Sequence, residues 1–247
     1  MKNLVAADVK RILRKPTYRI ILIICLVISV AYGKFDNLLD YTAFKFLADQ
    51  DAALTSVTLI LGICIFLSVY ADEFSSNSMQ CLIGHGVSRL RLLIAKVIDC
   101  IIVTAVSFAV YLVIAELVFL VNGVYLNAGR HLYFLGKVLV DTVTVIGVST
   151  FSMIFLYCTK SAVLATVVDT LILSLGSLMA EVFNYIPYVK FWHLEDHVFV
   201  NAVTGAFASL SLGNISGLFM IFGVLIRTVV ISVVIAFLLF RKKELDF

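Results

Sequence analysis

The sequence predicts an all-α membrane protein that forms a single transmembrane domain over residues 1–247. Hydrophobic residues make up 62% of the chain, charged residues make up only 14%, and the mean hydropathy is +1.08. This composition is too apolar for an average water-soluble domain. The apolar residues form runs of about 20, the length of a helix that crosses about 30 Å of hydrocarbon, whereas barrel strands alternate over about 10 residues. We therefore expect a bundle of transmembrane helices.

The first segment, residues 1–15, is predicted to be an amphipathic helix lying in the membrane interface, and Pro16 is expected to end it. Apolar residues recur at helical spacing, and cations occupy the remaining face. The alternative is a secretory signal, because Ser29 to Ala31 resembles a cleavage site. The apolar residues are Met1, Leu4, Val5, Val9, Ile12 and Leu13, and the cations are Lys2, Lys10, Arg11, Arg14 and Lys15.

Six apolar runs follow, and each is predicted to span the membrane. They are residues 18–33, 52–71, 97–121, 132–157, 162–186 and 217–240. An even number of spans places both termini on the same side. Most of the 19 Lys and Arg residues lie in the two ends, in the segment after the second span and in the turn after the fourth. The positive-inside rule therefore predicts that both termini are cytoplasmic.

Residues 187–216 are predicted to form an external re-entrant or interfacial segment. Pro187 breaks the preceding helix, residues 191–197 are polar and aromatic, and residues 201–217 are rich in small side chains. Irregular chain is tolerated at membrane depth only where protein buries it. His193 and His197 share the spacing of a helical metal pair, but the acidic residues between them do not match a zinc-protease motif. We therefore predict no metal site.

Residues 72–92 form a polar segment between two apolar runs, and we expect it in the cytoplasm. Its apolar side chains would line one face of a short helix beside the membrane. Gly84 to Gly86 would break that helix, and Ser88 is a candidate cap for the next one. A soluble partner that grips such a helix can tilt both neighbouring spans. The apolar residues are Phe74, Met79, Leu82 and Ile83.

The same segment resembles the permease subunits of the ABC-2 family of ATP-binding-cassette exporters. The resemblance rests on Asp72-Glu73 at the end of the second span, Asn77-Ser78-Met79, Gly86-Val87-Ser88-Arg89, and Lys96 leading into the third. Asn77 and Gly86 replace the residues commoner in the family. The amphipathic start, the six runs and the basic end match the family layout. The resemblance implies the ABC-2 (type V exporter) fold and a coupling helix anchored by Glu73, Arg89 and Lys96.

The resemblance further implies a transport subunit and not an enzyme. The chain has no phosphate-binding loop, since Gly136-Lys137 lacks the other residues of that motif. ATP and Mg would be bound by a partner ATPase, present in two copies beside a second, identical or related permease. A dimer face near spans one and five is expected. The size resembles small bacterial permeases for peptide export or bacteriocin immunity in the cell membrane, with amphipathic peptides or other hydrophobic compounds as cargo.

Three ionisable residues lie near mid-depth of the predicted spans: Asp141, Asp169 and Arg227. Each would cost at least about 2.5 kcal/mol to insert alone, so each calls for a partner or a water-filled cavity. We predict that the guanidinium of Arg227 faces the two carboxylates, with Asp169 as its more direct partner. The pair either fixes helix register or contacts a substrate. Asp99 and Glu116 are expected to be solvated near the surfaces, and Lys137 to extend outward.

Two other functional classes follow from the same residues. An ion- or proton-coupled carrier would work through Asp141, Asp169 and Arg227 without an ATPase. An intramembrane enzyme would need a catalytic constellation, and the sequence has no such signature. The five cysteines have no paired spacing, so we predict neither a disulfide framework nor a zinc site. The net charge of +3 is too small to indicate a nucleic-acid partner.

Overall fold

The computed structural model describes residues 2–34, 43–75, 84, 87–121, 128–184, 199–211 and 216–242. Within these ranges the regular structure is helical and contains no strand. The helices are α1 (Lys2–Arg14), α2 (Pro16–Lys34), α3 (Ala43–Phe66), α4 (Arg89–Val121), α5 (Ala128–Thr159), α6 (Ala162–Asn184), α7 (Phe199–Ser211) and α8 (Ser216–Lys242). The prediction of an all-helical chain is confirmed for these residues.

Over its described residues each predicted span is helical, and four segments are long and apolar enough to cross a membrane. They are Gln50–Ala71, Arg89–Val121, Ala128–Thr159 and Ser216–Leu239. The apolar segments Pro16–Ala31, Ala162–Gly176 and Phe199–Leu210 are shorter. The helix containing the third predicted span begins at Arg89 and not at residue 97, because its basic first turns continue the helix without a break.

The α1 helix has the amphipathic character that the sequence predicts. Ile12 is fully buried and Val5 is 9% exposed, whereas the basic residues Lys10, Arg11 and Arg14 are exposed. The apolar face packs against α4 and the start of α2. The helix ends before Pro16, where the amide of Lys15 donates to the carbonyl of Ile12 at 3.0 Å. The helices α2 and α4 therefore cover part of the apolar face of α1, which we had predicted would contact lipid.

A π-helical turn, Leu67–Ala71, interrupts the regular hydrogen bonding at the end of α3. The chain then continues as one more α-helical turn, Asp72–Ser75. Such turns hold an extra residue and occur frequently at functional sites. Tyr70 lies fully buried in this turn, with its ring 5.5 Å from that of Phe66. The end of the second predicted span is thus packed firmly into the core.

The α5 helix lies at the centre and packs against α3, α4, α6, α7 and α8. Its connection to α6 is a tight turn. Lys160 has a positive φ of 56°, and its amide donates to the carbonyl of Leu156 at 3.0 Å. This is a common way to end a helix. The Ser161 hydroxyl then accepts from the amide of Leu164 at 3.3 Å and caps α6.

The α7 helix packs beside α5 with its first residue deep in the bundle. The ring of Phe199 occupies the space where a side chain at Gly147 would lie, and the ring of Phe207 does the same at Gly136. Gly147 lies about 28 Å from the start of α5, because each helical residue adds about 1.5 Å. The chain of α7 therefore runs from near the middle of α5 back toward the beginning of α5.

Candidate functional site

The residues predicted to couple this chain to a partner are only partly described. Met79, Leu82 and Ile83 lie outside the described residues, and Glu73 belongs to the helical turn Asp72–Ser75. Phe74 packs edge-on against Tyr157 at the end of α5, with ring centroids 6.3 Å apart. Arg89 begins α4 and is half-buried. The start of the predicted coupling helix is therefore in contact with α5.

Lys96 is fully buried and forms the centre of a charged cluster, the Asp8–Lys96–Asp99 cluster. Its ammonium nitrogen donates to Asp8 of α1 at 2.7 Å and to Asp99 at 3.3 Å. Arg11 approaches Asp8 at 3.8 Å. A buried ammonium group of this kind is tolerated only with opposite charge beside it. The cluster therefore fastens α1 to α4.

The prediction that Asp99 is solvated is wrong, because its side chain is completely buried. The reason is that α1 covers this part of α4. We had predicted that α1 lies in the membrane interface, and that prediction did not include a contact with α4. Asp8 is the partner that the sequence analysis missed. The sequence did contain a signal for this partner, since Asp8 is an acidic residue in an otherwise basic α1.

A second ion pair joins α1 to the end of the second predicted span. Lys15 donates to the carboxylate of Asp72, and both side chains are partly exposed. Together with the Asp8–Lys96–Asp99 cluster, this pair attaches α1 to both helices that border residues 76–86. Exposed ion pairs stabilise a fold by only about 0–1 kcal/mol. The main contribution of the Lys15–Asp72 pair is therefore to position α1.

Asp141 lies on α5 and accepts a hydrogen bond from the hydroxyl of Thr58 on α3 at 2.9 Å. Asp51 lies near it, and Lys137 interacts electrostatically with both carboxylates. Lys137 is half-buried. That its side chain extends toward the outer surface stays a prediction. Glu116 does lie near an exposed end, where it is 3.3 Å from His131 of α5.

Asp169 is fully buried on α6, and both carboxylate oxygens lack a hydrogen-bond partner among the described residues. Its polar neighbours are the hydroxyls of Ser149 and Ser152 on α5, which are buried and close enough to stabilise the carboxylate, although neither meets the strict geometry of a hydrogen bond to it. This places a buried carboxylate beside two buried hydroxyl groups. An ionised carboxylate in this position is costly for the fold, and the two hydroxyls offset part of that cost.

The predicted pair of Asp169 and Arg227 is wrong. Arg227 is exposed on α8 and lines a cavity of about 460 Å³ with Asn201 and Gly205 of α7. The helix α8 packs on α5, α7 and α4, so α5 and α7 separate most of it from α6. Asp169 and Arg227 lie at similar depth in consecutive predicted spans, but their side chains do not face each other.

No group of three or more His, Cys, Asp or Glu residues that could hold a metal occurs among the described residues. His193 and His197 lie outside them. The sequence matches no protein-family profile and no curated protein.

Proposed function

We propose that this chain is the membrane-spanning permease subunit of an ATP-driven exporter with separate ATPase subunits. The observation that carries the proposal is the attachment of α1 to Asp72 and to Lys96. These residues lie on either side of residues 73–83, the segment proposed to bind the ATPase. A force applied to that segment would therefore move α3, α4 and α1 together. This rigid link is what conversion of ATP binding into helix movement requires.

In the proposed topology six helices cross the cell membrane, with both termini in the cytoplasm. The helices α2 and α6 add two spans to the four long ones, and α7 is the re-entrant element. The deep position of Phe199 against Gly147 supports this role for α7, since chain at membrane depth must be covered by protein. Two permeases and two ATPases would form the complex, and the π-helical turn Leu67–Ala71 would absorb changes in the direction of α3.

The cargo class follows from the character of the bundle. We propose amphipathic peptides or other hydrophobic compounds, as in peptide export, bacteriocin immunity or multidrug efflux. An apolar cleft of about 750 Å³ between α4, α5 and α8 supports this class, with Phe108, Leu139 and Phe222 among its lining residues. Apolar pockets of this volume are typical of sites for hydrophobic ligands.

The test is co-purification and transport with a candidate ATPase subunit that is co-expressed with this chain. The double variant M79E/L82E should abolish co-purification, whereas R130E, at the start of α5, should not. Export from vesicles should stop when the catalytic Glu of the ATPase is replaced by Gln. Export that continues with this inactive ATPase would overturn the proposal.

One observation favours a second candidate, an ion- or proton-coupled carrier. The carboxylate of Asp169 is fully buried inside the bundle, and ionisable groups inside membranes commonly mark ion pathways. Such a carrier would work without an ATPase. Uptake driven by a pH gradient in vesicles that contain this chain alone, and its loss in D169N, would favour the carrier.

A further inference from the structure

An open cleft of about 840 Å³ lies between α1 and α4. One wall consists of Val5, Val9 and Leu13, which are four residues apart and so share one side of α1. The other wall consists of Ile98 and Ile102 of α4. Both walls are aliphatic, and their size suits a hydrocarbon chain.

Three cations line the same cleft: Lys10, Arg14 and Arg19. All three are exposed, and none forms an ion pair within the described part of the chain. The Nε of Arg19 donates to the carbonyl of Leu13 at 3.0 Å, which holds its guanidinium at one end of the cleft. Lys10 and Arg14 are one helical turn apart and repel each other, so an anion between them is favoured.

Among the described residues, no acidic side chain lines the cleft. Asp8, the acidic residue of α1, is directed instead to Lys96 at 2.7 Å and to Arg11 at 3.8 Å. The positive charge around the cleft is therefore not neutralised by α1 itself. A ligand with an anionic head and an aliphatic chain matches both features, whereas a cationic peptide would be repelled.

We propose that this cleft binds one anionic phospholipid from the leaflet on the α1 side. The phosphate lies against Lys10, Arg14 and Arg19, and one acyl chain lies between Val9 of α1 and Ile98 of α4. Basic side chains near a membrane surface attract anionic lipid, and three of them should favour it over a zwitterionic lipid by roughly tenfold or more. The inference requires only a membrane-embedded chain, so it does not depend on the proposed transport activity.

The test uses the purified full chain, with bound lipid counted by native mass spectrometry during titration with phosphatidylglycerol or phosphatidylcholine. We expect one retained phosphatidylglycerol per chain and at least tenfold weaker retention of phosphatidylcholine. The triple variant K10Q/R14Q/R19Q should lose this preference. The triple variant R91Q/R130Q/K160Q, which removes the same charge elsewhere, should keep it.

A second variant, I98W, fills the cleft without changing charge and should also lose the retained lipid. If the triple cleft variant fails to fold, I98W and the three single Gln variants decide the question. Equal loss in the control triple variant, or equal retention of both lipids, would overturn the site. Displacement of phosphatidylglycerol by millimolar inorganic phosphate would show a phosphate site and would also overturn the lipid proposal.

Discussion

At the scale of single residues, Lys96 is held inside the bundle by carboxylates from two helices. Replacing it with Met would leave Asp8 and Asp99 without their shared cation. Breaking a buried ion pair in this way costs about 3–5 kcal/mol. We therefore expect K96M to lower the unfolding free energy by that amount in a denaturant titration of the purified protein.

The matched control is R91M on the same helix, where the side chain is exposed and the change should stay within about 0.5 kcal/mol. The triple variant D8N/K96M/D99N removes all three charges of the cluster and should recover part of the loss. If K96M is no less stable than R91M, the buried cluster does not hold α1 to α4.

Asp169 presents the opposite case, because among the described residues its buried carboxylate has the hydroxyls of Ser149 and Ser152 beside it and no cation. Asn has nearly the same shape and avoids burial of a charge, so D169N should be at least as stable as the wild type. The control is R227Q, an exposed change expected within about 0.5 kcal/mol. A loss above about 1 kcal/mol in D169N, measured by the same titration, would show that the carboxylate has a stabilising partner.

A charge exchange tests the corrected position of Arg227. Because Asp169 and Arg227 do not meet, the double variant D169R/R227D should be no more stable than D169R alone. A folded yield or melting temperature restored by the exchange would contradict the structure.

At the scale of the elements, the start of α8 approaches α7 too closely for a side chain. A Cβ atom at Gly217 would lie 2.5 Å from the carbonyl oxygen of Ala206 and 2.7 Å from the amide nitrogen of Leu210. Both are backbone atoms, so neither can rotate away. We expect G217A to destabilise the protein by about 1–3 kcal/mol, which is the usual cost of overpacking.

The control for this substitution lies on the same helix. A Cβ atom at Gly223 would meet nothing within 4 Å, and Ala is the better helix former, so G223A should be neutral or stabilising. The comparison is made by thermal unfolding of the two variants in one detergent. Equal melting temperatures would show that α7 and α8 can separate without loss.

At the scale of the whole molecule, the proposed topology places the two ends of α5 on opposite sides of the membrane. Cys158 is exposed at the end of α5 and is proposed to face the cytoplasm. In a variant that keeps only this cysteine, a membrane-impermeant maleimide should label inverted vesicles but not intact cells. A128C in a background without other cysteines should show the reverse. Labelling of Cys158 from outside intact cells would overturn the orientation and the proposed ATPase-facing side.

The candidate spans also differ in how much of their surface the rest of the chain covers. In α5 the most apolar window is 61% buried, whereas in α8 it is only 11% buried. The central helix thus provides the packing surface for its neighbours, and α8 presents most of its apolar surface to its surroundings. Hydropathy does not distinguish these two cases, because lipid and protein interior favour the same side chains.

The sequence by itself determined the helical class, the approximate bounds of the helices and the amphipathic character of α1. Each depends on the length and period of apolar runs, which are local properties of the chain. Only the tertiary structure decided that Lys96 meets Asp8, that Asp169 and Arg227 lie apart, and that α7 begins deep beside Gly147. These outcomes depend on which faces of distant helices meet, and equal depth along two helices does not specify their rotation.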